Sequence, residues 1–182
     1  LRNSQKRVVL KNLYDGIEAL DPNINILISK KQWHAKTYKN AEYLNEILGN
    51  YNCGKVLFAD SSSEKNKLWR VRRNIAVAVK SFSVYKEEDT VVPRDKLPQL
   101  MSGVKRIGKK YNFKSICYGH VGDGNLHVNI LKENLSDFDW NVVLKKSIRE
   151  IFELCVHLGG TISGEHGIGL VQKEFIDIPF PK

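Results

Sequence analysis

The twelve residues from Tyr118 to Asn129, Y-G-H-V-G-D-G-N-L-H-V-N, restrict this chain more than any other stretch. β-Branched and aromatic residues flank a cluster of Gly, Asp and Asn that only a tight turn accommodates. Ser115 to Tyr118 and Val128 to Leu131 are therefore expected as the strands of a hairpin. His120 closes the incoming strand and His127 opens the outgoing one, so a V-G-D-G-N-L turn brings both imidazoles to one mouth. Singly, each histidine reads as a hydrogen-bonded turn residue; converging on a glycine-lined turn, the pair reads as metal ligands.

A third ligand is available in the second polar cluster, Gly159 to Gly169, G-G-T-I-S-G-E-H-G-I-G. Five glycines in eleven residues describe a backbone that approaches something closely, and Glu165-His166 are its strongly functional side chains. The candidate metal set is thus His120, His127 and Glu165, with His166 beside it.

With 182 residues, 42% hydrophobic and 27% charged, the chain can build one domain with a sizeable core. No run reaches the roughly 18 apolar residues of a membrane span, and no secretory h-region is present. Cys53, Cys117 and Cys155 lack C-x-x-C spacing, which argues against a disulfide framework or zinc ribbon. A reducing, cytoplasmic compartment is expected, with peripheral attachment to the inner membrane left open. The net charge of +9 is spread along the chain (Lys30-Lys31, Lys109-Lys110, Lys145-Lys146) without aromatic interleaving, so nucleic acid is not an expected partner. Because Met101 is the only methionine, the sequence is expected to be part of a longer polypeptide.

Residues 1–40 carry no assigned function; a helix ending at Asp21-Pro22 and a strand at Ile24 to Ile28 are expected there. Ala41 to Leu48 predicts a helix and Val56 to Ala59 a buried strand. Ser61 and Glu64 form a capping box that opens a long helix to about Lys80. On that helix Arg72 shares the stripe of Leu68, Val71, Ile75 and Val79, so its cation must meet an anion, either an internal carboxylate or a substrate. Ser83 to Lys86 and Thr90 to Val92 read as two strand segments around the acidic run Glu87-Glu88-Asp89. Pro93 and Asp95 introduce a helix bearing Leu97, Leu100, Met101, Val104 and Ile107, with Met101 as core filler. Ser136 caps another, bearing Trp140, Leu144, Ile148, Ile151, Phe152 and Cys155. The fold class expected from this order is α+β, with helices packed on one face of a mostly antiparallel sheet and the metal candidates at one edge of the sheet.

Together the two glycine-rich motifs, with Leu68-Trp69-Arg70-Val71-Arg72 and Glu88-Asp89-Thr90-Val91-Val92-Pro93, resemble the C-terminal (cap, or substrate) domain of FAD-linked oxidases. That family includes D-lactate dehydrogenases, glycolate oxidase flavoprotein subunits and D-2-hydroxyglutarate dehydrogenases. The resemblance covers roughly residues 41–178, so 41–182 is taken as the family domain, a ferredoxin-like cap. It implies that His120, His127 and Glu165 bind a divalent ion, zinc, manganese or iron, and that His166 is the catalytic base. It implies further that Arg72 and Lys86 hold a substrate carboxylate and that Asn129 contacts substrate. The FAD would be held by a separate FAD-binding domain of the same polypeptide, consistent with the absence of G-x-G-x-x-G here. The expected reaction is oxidation of a D-2-hydroxy acid to the 2-keto acid.

Read from the residues alone, two other classes stay open. One is a free-standing metal hydrolase with His166 as base; the missing H-E-x-x-H helix argues against it. The other is a non-catalytic anion-binding module built on Arg72, the lysines and the glycine loops. The particular hydroxy acid, the electron acceptor and the oligomeric state, homo-oligomer included, are not readable from the sequence.

Overall fold

The structure, a computed structural model, describes residues 42, 43, 45–50, 59 and 61–181, without the side chains of Arg72 and Lys80. The elements expected in residues 1–40 lie outside the described residues, as does the strand expected at Val56 to Ala59 but for Ala59, which is in no strand. The chain divides into two compact units, Leu1–Ile75 and Ala76–Lys182. The division falls within helix α1, Ser62–Phe82. Its N-terminus is built as the capping box requires, the Glu64 N–H donating to Ser61 Oγ at 3.2 Å.

In the unit Ala76–Lys182, β1 (Tyr85–Val91) leads through a short 3₁₀ turn to α2 (Leu97–Lys110), then to β2 (Lys114–His120) and β3 (Asn125–Leu131). After Ser136, whose hydroxyl accepts the Asp139 N–H at 3.0 Å, a π-turn at Asp139–Val143 continues into α3 (Leu144–His157). The sheet is antiparallel throughout, in the order β1-β3-β2. The α2 crossover skips one strand position, which β3 then fills, a split β-α-β arrangement as in ferredoxin-like folds. Thr161 adds a single bridge to Val91 on the outer edge of β1. The α+β class and the mostly antiparallel sheet are as expected.

Pairing register fixes which side chains share a face. Leu126, Val128 and Ile130 of β3 point one way, and they join Leu100 and Val104 of α2 and Ile148, Ile151, Phe152 and Cys155 of α3 in one buried core. The helices α2 and α3 therefore cover that face, as the apolar spacing of their sequences predicts. Met101 packs at the margin of this core. Cys117 and Cys155 are free thiols, and burial pushes them up to about 11 and about 12, away from the thiolate form.

β2 and β3 are each longer than expected, which shortens the turn between them to residues 121–124, and a further element differs in kind. β1 is a single strand running through Glu87-Glu88-Asp89, where two segments with a polar interruption were expected. Acidic residues have low strand propensity, but here alternation sends Glu88 to the helix side and Glu87 and Asp89 to the opposite side. No helix among the described residues is long and apolar enough to cross a membrane.

Candidate functional site

The hairpin turn at residues 121–124 sets the position of both histidines. Its last residue, Gly124, has φ +78°, and a Cβ there would lie 1.9 Å from the Val92 carbonyl, so only glycine lets the turn close against the end of β1. The Val92 N–H donates to the Gly124 carbonyl at 3.0 Å. Register then pairs His120 with Asn125 and Tyr118 with His127. Paired residues share a face, so His120, Tyr118, Asn125, His127 and Asn129 all stand on the side away from α2 and α3. The imidazole centres of His120 and His127 are 5.9 Å apart. His127 lies on the central strand and is buried, which moves the metal candidates inward from the sheet edge expected for them.

Glu165 and His166 reach the same place from the far end of the chain. Thr161 bridges Val91, and the chain then turns over the sheet so that Glu165 Oε1 lies 3.5 Å from His120 Nε2 and Oε2 lies 3.9 Å from His127 Nε2. His166 stacks on His127, centres 5.2 Å apart and planes 28° apart. Ligand atoms of His120, His127 and Glu165 lie within 4.8 Å of one another. Two imidazole nitrogens and a carboxylate oxygen at this spacing suit a divalent ion that keeps positions open for another ligand. Glu87, His127 and His166 form an overlapping trio, but Glu87 approaches Nδ1 of His127, at 3.2 Å, whereas Glu165 approaches Nε2. Glu87 thus stands on the other side of the imidazole from Glu165, close to Nδ1 but without a hydrogen bond to it.

Asp89 organises the loop. Its Oδ2 accepts the backbone N–H groups of Gly164, Glu165 and His166 at 2.9, 2.6 and 2.8 Å. Its Oδ1 accepts from Asn125 Nδ2 at 2.6 Å, and the same amide nitrogen reaches the Thr90 carbonyl at 3.1 Å. Burial alone would raise the Asp89 carboxyl, but the backbone donors of His166 and Glu165, with Asn125 and Gly164, outweigh it and hold the group below the usual range.

Asn129 is fully buried two positions beyond His127 on the same face. Both ends of its amide lack a hydrogen bond among the described residues, although the Tyr118 hydroxyl is close by. A buried amide in that condition is prepared for a polar partner. Lys86 is not brought to this cluster. It occupies an even position of β1, so it points to the helix side, where Nζ donates to the Trp140 carbonyl at 2.8 Å and lies 4.7 Å from the centre of the Trp140 ring. Burial there lowers the Lys86 ammonium from its ordinary value. Arg72 belongs to α1, and its side chain lies outside the described residues.

Residues 8–178 match the family of FAD linked oxidases, C-terminal domain. The chain belongs to this family. The match begins well within residues 1–40, the stretch left unassigned from the sequence. Among curated relatives of this oxidase domain is the glycolate oxidase subunit GlcD of Escherichia coli, 36% identical over 137 residues, 72% of this chain and 26% of that protein. A D-2-hydroxyglutarate dehydrogenase of Stutzerimonas stutzeri is 31% identical over 124 residues, 66% of this chain and 26% of the relative. A D-lactate dehydrogenase of Anaerostipes hadrus is 28% identical over 136 residues, 74% of this chain and 29% of the relative. The chain therefore spans about a quarter of the length of the curated relatives it matches.

Within this FAD-linked oxidase domain, Asp89, Glu87 and Asn125 belong to the site's architecture but were not singled out from the sequence. A signal for the first two was present: residues two apart in a strand share a face, so Glu87 and Asp89 are a pair as soon as the acidic run is read as strand.

Proposed function

We propose that this chain is the substrate- and metal-binding part of an FAD-dependent oxidoreductase that oxidises a D-2-hydroxy acid, such as D-lactate or glycolate, to the 2-keto acid. The observation that carries the reading is the convergence of His120, His127, Glu165 and His166 from two distant stretches onto one face of the sheet. The names of the relatives, two dehydrogenases of hydroxy acids and a glycolate oxidase subunit, point to the same substrate class.

In this reading His120 and His127 through Nε2, and Glu165 through a carboxylate oxygen, would hold a divalent ion, with the Glu87 carboxylate 3.2 Å from Nδ1 on the other side of the His127 ring. Such an ion, when bound, lowers the pKa of a hydroxyl and orients the hydroxy acid. An unprotonated ring nitrogen of His166, beside His127, receives the hydroxyl proton as general base. Asn129, two positions beyond His127 on the same face with the Tyr118 hydroxyl beside its amide, would be the substrate contact that the resemblance implies. A flavin held by a separate domain of the same polypeptide would supply the acceptor for the hydride equivalent that leaves the adjacent carbon. Lys86, engaged with Trp140 on the other face, has no part in this assignment.

The test uses the full-length protein with FAD and an artificial electron acceptor. Its metal content is measured, and D-lactate, glycolate and D-2-hydroxyglutarate are offered in turn. Turnover of one of them, lost in a folded, metal-replete His166→Asn variant, supports the reading. A metal-free protein that oxidises none of them overturns it.

A further inference from the structure

We infer that Asp89 is a positioning residue that holds Glu165 and His166 in place before any ligand arrives. The inference rests on the proposed roles of those two residues, and it adds a part that neither the motifs nor the relatives assign.

Three consecutive backbone N–H groups, those of residues 164, 165 and 166, converge on one carboxylate oxygen, at 2.9, 2.6 and 2.8 Å. Charge-assisted bonds of this kind are stronger than neutral ones, and three in succession fix the dihedrals of the peptide units that carry the two side chains. Asp89 is itself fixed. It lies in the middle of β1 opposite His127, is 1% exposed, and its second oxygen is bound to Asn125.

At Gly164 there is no room for a side chain. A Cβ on Gly164 would come 2.1 Å from Asn125 Nδ2 and 3.1 Å from Asp89 Oδ1, so the glycine is what allows the backbone to settle on the carboxylate. β1 also holds the chain on either side. Val91 exchanges two hydrogen bonds with Thr161, at 2.9 and 3.2 Å, ahead of the loop. Gln172 Nε2 reaches Glu88 Oε2 at 3.4 Å after it. Between those holds Gly167 and Gly169 adopt positive φ, so without Asp89 the segment bearing Glu165 and His166 would be spanned by its most permissive residues. Preorganising both a metal ligand and a base through one carboxylate couples the two roles: loosening Asp89 weakens metal binding and proton transfer together.

The experiment compares the natural full-length protein with its Asp89→Asn variant, both stripped of metal by a chelator. Asparagine keeps the shape but must turn an NH₂ group toward either Asn125 Nδ2 or the three backbone donors. Hydrogen exchange of the amides of residues 164–166 is expected to be about 10- to 100-fold faster in the variant, with exchange in β2 and β3 unchanged. Titration with Mn²⁺ alone is expected to show affinity about 10- to 100-fold lower. If the variant does not fold, Asp89→Ser, which removes the carboxylate and leaves room for water, is measured in the same way, and the same two changes are expected. Equal exchange at 164–166 in parent and folded variant would overturn the inference. Because the exchange measurement needs neither metal nor substrate, it separates the two ideas: Asp89-dependent protection in a protein that binds no Mn²⁺ supports the positioning role while the proposed function fails.

Discussion

Strand β3 is buried along its whole length, yet its two faces are buried by different means. On one face Leu126, Val128 and Ile130 meet the apolar sides of α2 and α3. On the other, Asn125, His127 and Asn129 stand in a column among Glu87, Asp89, Tyr118 and the loop bearing Glu165. The first face stabilises the fold, at about 1.5–3 kcal/mol for each large aliphatic side chain removed from water. The second works against it wherever a polar group lacks a partner. Four of the five buried side-chain polar atoms without a hydrogen bond among the described residues belong to Asn125, His127 and Asn129, so the deficit is concentrated on the candidate site. One strand thus carries both the core and the chemistry, and substitutions on its two sides should separate stability from activity.

The sharpest separation is expected at His166, whose imidazole is exposed on the polar side. His166→Asn should lower turnover of the hydroxy acid about 10²- to 10⁴-fold while leaving metal content and melting temperature unchanged, as read by steady-state kinetics and calorimetry. A comparable drop in melting temperature would show that the two faces are not independent.

Glu165→Gln replaces the charged oxygen of one of the three proposed ligands with a weakly ligating amide and should weaken metal binding by more than the roughly 10- to 100-fold typical of a residue behind a ligand. Titration with Mn²⁺ measures it, and unfolding of the metal-free variant should match that of the metal-free parent.

On the apolar side, Phe152 is fully buried and packs edge-on against Phe175 at 5.2 Å. Phe152→Ala should cost about 3–5 kcal/mol in denaturant unfolding, with turnover per folded molecule retained.

Glu88 tests the comparison from within, as a carboxyl on the helix side. It is 2% exposed, and burial raises its pKa from 4.5 to about 7, against the lowering effects of Gln172 and Lys86. The folded state therefore holds this proton more tightly than the unfolded chain. The stability it contributes is fully present below pH 4.5 and is lost as pH rises through about 7. The span is on the order of 3 kcal/mol. Glu88→Gln should flatten the stability profile between those pH values, and an unchanged slope would show that Glu88 is not the group responsible.

The smallest effect is expected at the rim, where Lys114 pairs with Glu133 at 3.0 Å in water. Lys114→Ala should shift stability by about 1 kcal/mol or less, and a larger change would mean that the sheet edge carries more than a solvated ion pair.

Much of this was legible in the residues. The apolar spacing of α2 and α3, the caps at Ser61 and Ser136 and the glycine-bounded hairpin are local signals and each element is found, although the hairpin strands run on to His120 and start at Asn125, so the turn is four residues where six were expected. The acidic run was harder to read, because strand propensity is unfavourable for Glu87-Glu88-Asp89 and both faces of β1 hold polar residues, so no apolar alternation marks the strand. Lys86 was placed toward substrate by the family resemblance alone, and with the acidic run left out of any strand nothing in the residues fixed which face of β1 it takes.

By itself the sequence determined which chemical groups were available, since histidines, carboxylates and glycines in two short motifs act through local turn geometry and intrinsic ligand character. Only the tertiary structure decided which of them meet. Asp89 finds its three donors 75 to 77 residues away, and no local propensity encodes that pairing. It follows from closing the sheet in the order β1-β3-β2 and bringing the chain after α3 back across the outer edge of β1.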